Sequence, residues 1–217
     1  MLKTYRKIDR GEYILVSVDT AAGMGDYTAA QFLSKTRIDV PMVYHSKVTT
    51  SDYIPMLAET LNKIFDNTGV KPTVSLERNN GGAFLIDRLA GINYANKYEV
   101  FKNPTYGNIN GSESTQYGWS TNTATRPKML SELKDSVDKR TLGIYDKETI
   151  REMFSFILAQ TSSSIKAQAE KGAHDDLVMS LAIAWQMYQI CNSPISNYDG
   201  DDFPEETLLD SNTGLYI

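Results

Sequence analysis

The chain has one cysteine, two histidines and no apolar run near the roughly 20 residues that a membrane-spanning helix requires. A lone Cys191 excludes a disulfide framework and any cysteine-built zinc site, which makes a reducing interior the default. The leader Met1-Leu2-Lys3-Thr4-Tyr5-Arg6-Lys7 is not followed by the apolar stretch of a secretory signal. No Gly-x-x-x-x-Gly-Lys-Ser/Thr run occurs, and Gly23-Met24-Gly25 lacks both the lysine and the spacing, so these 217 residues hold no P-loop motor. Lysine and arginine are absent from Asn192 onward, where Asp199, Asp201, Asp202, Glu205, Glu206 and Asp210 are the only charges. These absences predict a soluble intracellular domain.

What remains is material for one α/β domain. A hydrophobic content of 41% over this length suits a single core spanning 1–191, with an acidic, flexible tail over 192–217. The net charge of -5 argues at first against nucleic acid. Setting aside the six tail acids leaves 22 basic against 21 acidic residues. Were five of those acids gathered around metal ions, a modestly basic surface would surround an acidic hole, which suits an enzyme acting on a phosphate backbone. A near-neutral domain with an acidic tail is the plainer alternative.

Hydrophobic patterning sets the order of elements. Tyr13 to Val18 is β-branched and apolar, and reads as a buried strand. Thr28 to Leu33 and Met42 to Val48 continue as a meander. Ser51 is the expected cap of a helix whose stripe is Ile54, Leu57, Leu61, Ile64 and Phe65. Pro72 to Leu76 is a fourth strand, Gly81-Gly82 opens a helix through Leu89, and Tyr98 to Phe101 is a fifth strand. Gly107 to Asn122 reads as a long polar loop. Helices follow over Thr125 to Val137 and Lys147 to Phe154. Ile157 to Gln160 and Ile165 to Ala169 are expected to pair as a hairpin, and a last helix runs from near His174-Asp175-Asp176 to about Ile190.

Acids fall at matching places in this order. Asp19 ends the first apolar strand, Glu77 ends the fourth, and Asp175 and Asp176 open the last helix. Strand ends and helix starts are where α/β sheets gather functional groups. Clustered carboxylates repel one another, so divalent cations are their natural partners, and magnesium takes oxygen ligands while keeping water positions open. Asp26, beyond the flexible Ala21-Ala22-Gly23-Met24-Gly25, is placed to reach the same cluster. Each acid alone also reads as a cap or a solvated turn.

Four motifs carry a resemblance. Val16-Ser17-Val18-Asp19-Thr20-Ala21-Ala22-Gly23-Met24-Gly25-Asp26-Tyr27-Thr28 is the first, and Leu76-Glu77-Arg78-Asn79-Asn80-Gly81-Gly82 the second. The third is Tyr117-Gly118-Trp119-Ser120-Thr121 running into Thr125-Arg126-Pro127-Lys128-Met129-Leu130. The fourth is Gly172-Ala173-His174-Asp175-Asp176-Leu177-Val178-Met179-Ser180-Leu181-Ala182. In this order, over roughly Tyr13 to Ile190, they resemble the C-terminal nuclease domain of tailed-phage terminase large subunits.

The resemblance implies an RNase H-like fold. Its sheet would have five strands, three antiparallel then two parallel, flanked by helices, with an extra β-hairpin before the C-terminal helix. It further implies that Asp19, Glu77 and one Asp of the His174-Asp175-Asp176 run are catalytic ligands of two Mg²⁺ or Mn²⁺ ions; Asp26, by its position, and the other Asp of the run are expected as auxiliary ligands. Adjacent helix residues point about 100° apart, so Asp175 and Asp176 cannot face the cluster equally, and Asp176 is favoured as the central ligand. Arg126, Lys128, Lys166 and Lys171 are the expected contacts to DNA phosphates, and His174 is expected at the surface. Asn79, Asn80, Gly81 and Gly82 are expected only to turn the chain, while Tyr117 and Trp119 are expected to be buried.

The implied activity is a metal-dependent endonuclease that cuts concatemeric double-stranded viral DNA during packaging, in the cytoplasm of an infected host cell. Its implied partners are an ATPase half absent from this sequence, a small terminase subunit and a portal ring. Two alternatives stay open: another RNase H-like nuclease such as a Holliday-junction resolvase, or a non-catalytic docking module for portal or motor.

Overall fold

The computed structural model describes residues 1–20, 27–105, 114–161, 174–194, 209–210 and 215–216. The expected meander is present as β2 (Ile14–Asp19), β3 (Thr28–Ser34) and β4 (Asp39–Ser46), all antiparallel. Beside β2 lie β5 (Thr73–Leu76) and then β6 (Glu99–Val100), both parallel. These five strands have the expected mixed order, three antiparallel and two parallel.

Two short strands extend the far edge. The leader forms β1 (Leu2–Thr4), antiparallel to Met42–Tyr44, and β9 (Gly143–Ile144) runs parallel to Asp39–Val40. The leader's polar composition hid β1, because an edge strand needs no apolar face. It is held instead by charge: Arg6 donates to both Glu12 and Asp39, while Lys3 pairs with Asp146 and Glu148.

Alternation along the strands sorts the core onto two faces. Ile14, Val16 and Val18 point with Phe32, Val74 and Leu76 toward α1 (Thr50–Thr68) and α2 (Gly82–Gly91). Leu15, Ala29, Leu33 and Val43 point to the other face, where α5 (Asp176–Ile190) lies with α3 (Thr125–Asp138). Leu177 through Met187 are all buried. Apolar side chains surround α5 on every side, so burial rather than an amphipathic stripe holds it in place.

Several boundaries differ from expectation. Thr49, not Ser51, caps α1, its Oγ1 accepting from Asp52 N at 3.3 Å. The expected long loop contains β8 (Ser114–Tyr117), paired with β7 (Lys102–Thr105) outside the main sheet, where no apolar alternation is required. The helix expected to end at Phe154 is α4 (Lys147–Thr161). Ile157 to Gln160 are therefore helical and not the first arm of a hairpin, since a short apolar run by itself does not separate strand from helix. The second arm of the expected hairpin, Ile165 to Ala169, lies outside the described residues. In the acidic C-terminal segment, β10 (Leu209–Asp210) pairs with β11 (Leu215–Tyr216).

Candidate active site

Parity and register bring the first two acids together. Asp19 has the parity of Leu15 and Ser17, and so faces α5. Val18 lies opposite Leu76 across the parallel pair, and Glu77 N donates to Val18 O at 2.9 Å. Glu77 therefore sits one strand from Asp19 on the same face. The next turn holds it there. Gly81 has φ +90°, and a Cβ on Gly82 would lie 1.7 Å from the Glu77 carbonyl oxygen.

That contact gives a first prediction. Gly82→Ala must push the backbone of Glu77 aside. Overpacking costs about 1–3 kcal/mol, which at this chain length is about 2–12 °C of melting temperature. A melt indistinguishable from wild type would show that the Glu77 backbone gives way freely.

Asn79 does more than turn the chain. Its Nδ2 donates to Glu77 Oε1 at 3.1 Å and to Thr121 O at 2.9 Å, orienting the carboxylate against the loop after β8. Trp119 is buried, as expected, and its indole donates to Met129 Sδ. Tyr117 instead is 44% exposed, because β8 lies off the core.

The start of α5 is clamped from three sides. Ser17 Oγ donates to Ser180 O at 2.5 Å, and Gln31 Nε2 donates to Leu177 O at 3.2 Å and to Thr149 Oγ1 at 3.0 Å. On the α4 side, Glu152 Oε2 accepts from Leu177 N at 2.9 Å and Val178 N at 3.2 Å. Asp175 occupies the N-cap position, but its side chain makes no capping bond. Capping is done by Glu152, a residue that sequence reading missed because it is 24 positions from the helix it caps.

Removing that acceptor should be costly. Glu152→Ala leaves two backbone N–H groups without it, a loss of about 0.5–2 kcal/mol for a cap and about 1–8 °C in a thermal melt. Glu152→Gln keeps an oxygen acceptor and should lose less. Equal melting of wild type and Glu152→Ala would refute the capping role.

The electrostatics are those of crowded acids. Burial pushes the Asp19 carboxyl well above the usual range, and Glu77, Asp176 and Asp175 add to the shift, with Glu77 also hydrogen-bonding it. Burial pushes Glu152 up to about 8, reinforced by Asp176 and Asp175 and opposed by the two backbone N–H groups. Asp176 Oδ2 lies 3.7 Å from His174 Nδ1, and that histidine's side chain is 56% exposed, matching its expected surface position. Asp175 takes Arg126 Nη2 at 2.5 Å. Arg126, expected on DNA, therefore faces an acid of the site. Lys128 projects from the first turn of α3, 3.7 Å from Glu132. Asp26, Lys166 and Lys171 lie outside the described residues.

The donors suit a hard cation. Asp19, Glu77, Asp175 and Asp176 offer only carboxylate oxygens, the ligands Mg²⁺ and Mn²⁺ prefer. Among the described residues Thr20 Oγ1, next to Asp19, is also buried without a hydrogen-bond partner. No three His, Cys, Asp or Glu side chains among them form a ready ligand set, however. The structure brings Asp19 and Glu77 into contact, and leaves Asp175 on Arg126.

Solved structures share this arrangement of strands and helices. The magnesium-bound large terminase nuclease of thermophilic phage G20c matches with TM-score 0.62 at 16% identity, covering 85% of this chain and 86% of that one. The nuclease domain of the Thermus phage P74-26 large terminase matches at 0.56 and 17% identity, over 86% and 84%. A manganese-soaked human cytomegalovirus terminase nuclease domain matches at 0.55 and 12% identity, over 82% and 84%. The chain has the terminase nuclease fold. That RNase H-like fold places the ends of β2 and β5 beside the start of α5, where the acids are found. No family model matches the sequence, and no curated protein does.

Proposed function

We propose that this chain is a metal-dependent endodeoxyribonuclease that cuts double-stranded DNA during viral genome packaging, in the cytoplasm of an infected host cell. The observation that carries this reading is the placement of half-buried Asp19 and buried Glu77 side by side on one face, at the ends of the adjacent parallel strands β2 and β5. A carboxyl whose ionisation is opposed by burial and by a neighbouring acid, as at Asp19, is poor structural material and a good cation ligand. The shared fold supports the same reading, since the neighbours with that fold are named as terminase nucleases, and the G20c enzyme has been crystallised with magnesium, cobalt and zinc.

In this reading Asp19, Glu77 and Asp176 hold two Mg²⁺ or Mn²⁺ ions, with Asp175 and Asp26 as auxiliaries. When bound, such ions supply the Lewis acidity for in-line attack of water on phosphorus and for departure of the 3′ oxygen. Asn79 orients the Glu77 carboxylate, and the Ser17, Gln31 and Glu152 clamp holds Asp176 at the head of α5. Arg126 balances the charge of Asp175 and is placed to trade it for a phosphate oxygen. Lys128, Lys166 and Lys171 are further phosphate contacts in the same reading. A terminase ATPase domain, a small terminase subunit and a portal ring are the proposed partners.

Supercoiled-plasmid cleavage in Mg²⁺, Mn²⁺ and EDTA tests this, comparing wild type with Asp176→Ala. Nicking and linearisation that require both the metal and Asp176 are expected. Equal cutting by both proteins would refute the site, and strong preference for four-way junctions over linear duplex would point to a resolvase.

A further inference from the structure

Tyr27, immediately before β3, has an unusual set of neighbours. Its ring centroid lies 4.3 Å from that of His45 and 5.2 Å, edge-on, from that of His174. Lys47 Nζ sits 4.7 Å from the same ring. Both histidines of the chain and one lysine thus converge on a single tyrosine.

Register explains the convergence. Asp19 lies opposite Ala29, and Ala29 opposite His45. Asp19 and His45 therefore share one row and one face, two strands apart, or about 10 Å. Tyr27 and Lys47 flank the ends of β3 and β4, just beyond that row. His174 closes the gap to the acids, 3.7 Å from Asp176. The result is a continuous strip from the candidate metal centre to the β4 side of the sheet.

Charge marks the strip as more than packing. Lys3, close by, is paired with Asp146 and Glu148, and His45 Nδ1 faces Glu148 at 3.5 Å. Lys47 is exposed, and its Nζ lies over the face of Tyr27. No carboxylate among the described residues lies within ion-pair distance of it. A cation restrained over a ring at the surface, with no acid among the described residues to neutralise it, is prepared to meet an anion.

We propose that Tyr27, Lys47 and His174 form a track for the sugar–phosphate backbone beside the cut phosphate, with Lys47 as a direct phosphate contact. His45 buttresses the Tyr27 ring. The proposal rests on the nuclease reading and extends it to a named contact. At about 3.4 Å per nucleotide, a strip of about 10 Å follows roughly three nucleotides of one strand.

The test is binding of a short fluorescent duplex by anisotropy across a salt series, in Ca²⁺ and in EDTA. Loss of one phosphate contact lowers the salt slope by about 0.9, which is about an eightfold weaker Kd at 0.1 M salt. Lys47→Ala should show that change, and Lys47→Arg should restore most of it. Lys139→Ala removes the same charge at the far end of α3, about 20 Å of helix from Arg126, and should bind as wild type does. Wild-type affinity and slope in Lys47→Ala, or equal weakening in Lys139→Ala, would overturn the track while leaving the nuclease reading intact. Failure of the wild type to bind duplex at any salt would overturn both.

Discussion

Asp19→Asn is expected to abolish metal-dependent DNA cleavage while raising the melting temperature of the cation-free protein. The two effects share one cause. In the folded chain the Asp19 carboxyl is half-buried beside Glu77 with Asp175 and Asp176 nearby, an arrangement that opposes its ionisation. Asparagine keeps the shape and a donor for Glu77 but carries no charge, so it relieves the crowding. A gain of about 1–2 kcal/mol is in the range of stabilising substitutions, or about 2–8 °C at this length. The same change removes a negative oxygen from the proposed metal site. Loss of about 4 kcal/mol of transition-state stabilisation corresponds to about a thousandfold in rate. Plasmid cleavage and thermal melts on one preparation test both halves. A variant that loses activity and also melts lower would mean that Asp19 is mainly structural.

Divalent cations should stabilise the wild type most at mildly alkaline pH. A carboxyl whose folded pKa lies above its unfolded value binds more protons folded than unfolded, so stability falls as pH rises between the two. For Glu152 that interval runs from about 4.3 to about 8, and Asp19 shifts in the same direction. The cation-free melting temperature should therefore decline from pH 5 to pH 8. Mn²⁺ at a hundred times its Kd adds about 2.7 kcal/mol, or about 5–11 °C. Asp19→Asn should lose most of that increment. A cation-free melting temperature that rises over this pH range, or an unchanged response in Asp19→Asn, would remove the crowded-acid account.

Most strands could be read directly, for a physical reason. β2, β3 and β5 are buried on both faces, and buried strands are written as continuous apolar runs. α5 was bounded almost to the residue because polar and acidic residues give way abruptly to Leu177 and Val178. β1 and β8 carry no apolar run to reveal them: Leu2 alone of β1 packs against the core, and β8 lies outside the main sheet. α4 runs past Phe154 because the short apolar run Ile157-Leu158-Ala159 suits a helix as well as a strand. Asp19 and Glu77 were visible as acids at the ends of apolar strands, a place where a charge is costly without a task.

The roles inside the site divide along the same line. Local sequence determined that Asp19 and Glu77 end buried strands, that Asp175 and Asp176 open a helix, and that a glycine pair follows Glu77. Those facts depend only on neighbours along the chain. Tertiary structure alone decided that Glu152 caps α5, that Arg126 faces Asp175, that Asn79 holds Glu77, and that Tyr27 gathers both histidines and Lys47. Each of these joins side chains through folded geometry: through strand register, through the crossing of α4 and α5, or through the turn that brings Asn79 back over Glu77. Strand pairing and helix packing form such contacts between distant parts of the chain, and periodicity along one segment carries no information about which residue of another will face it.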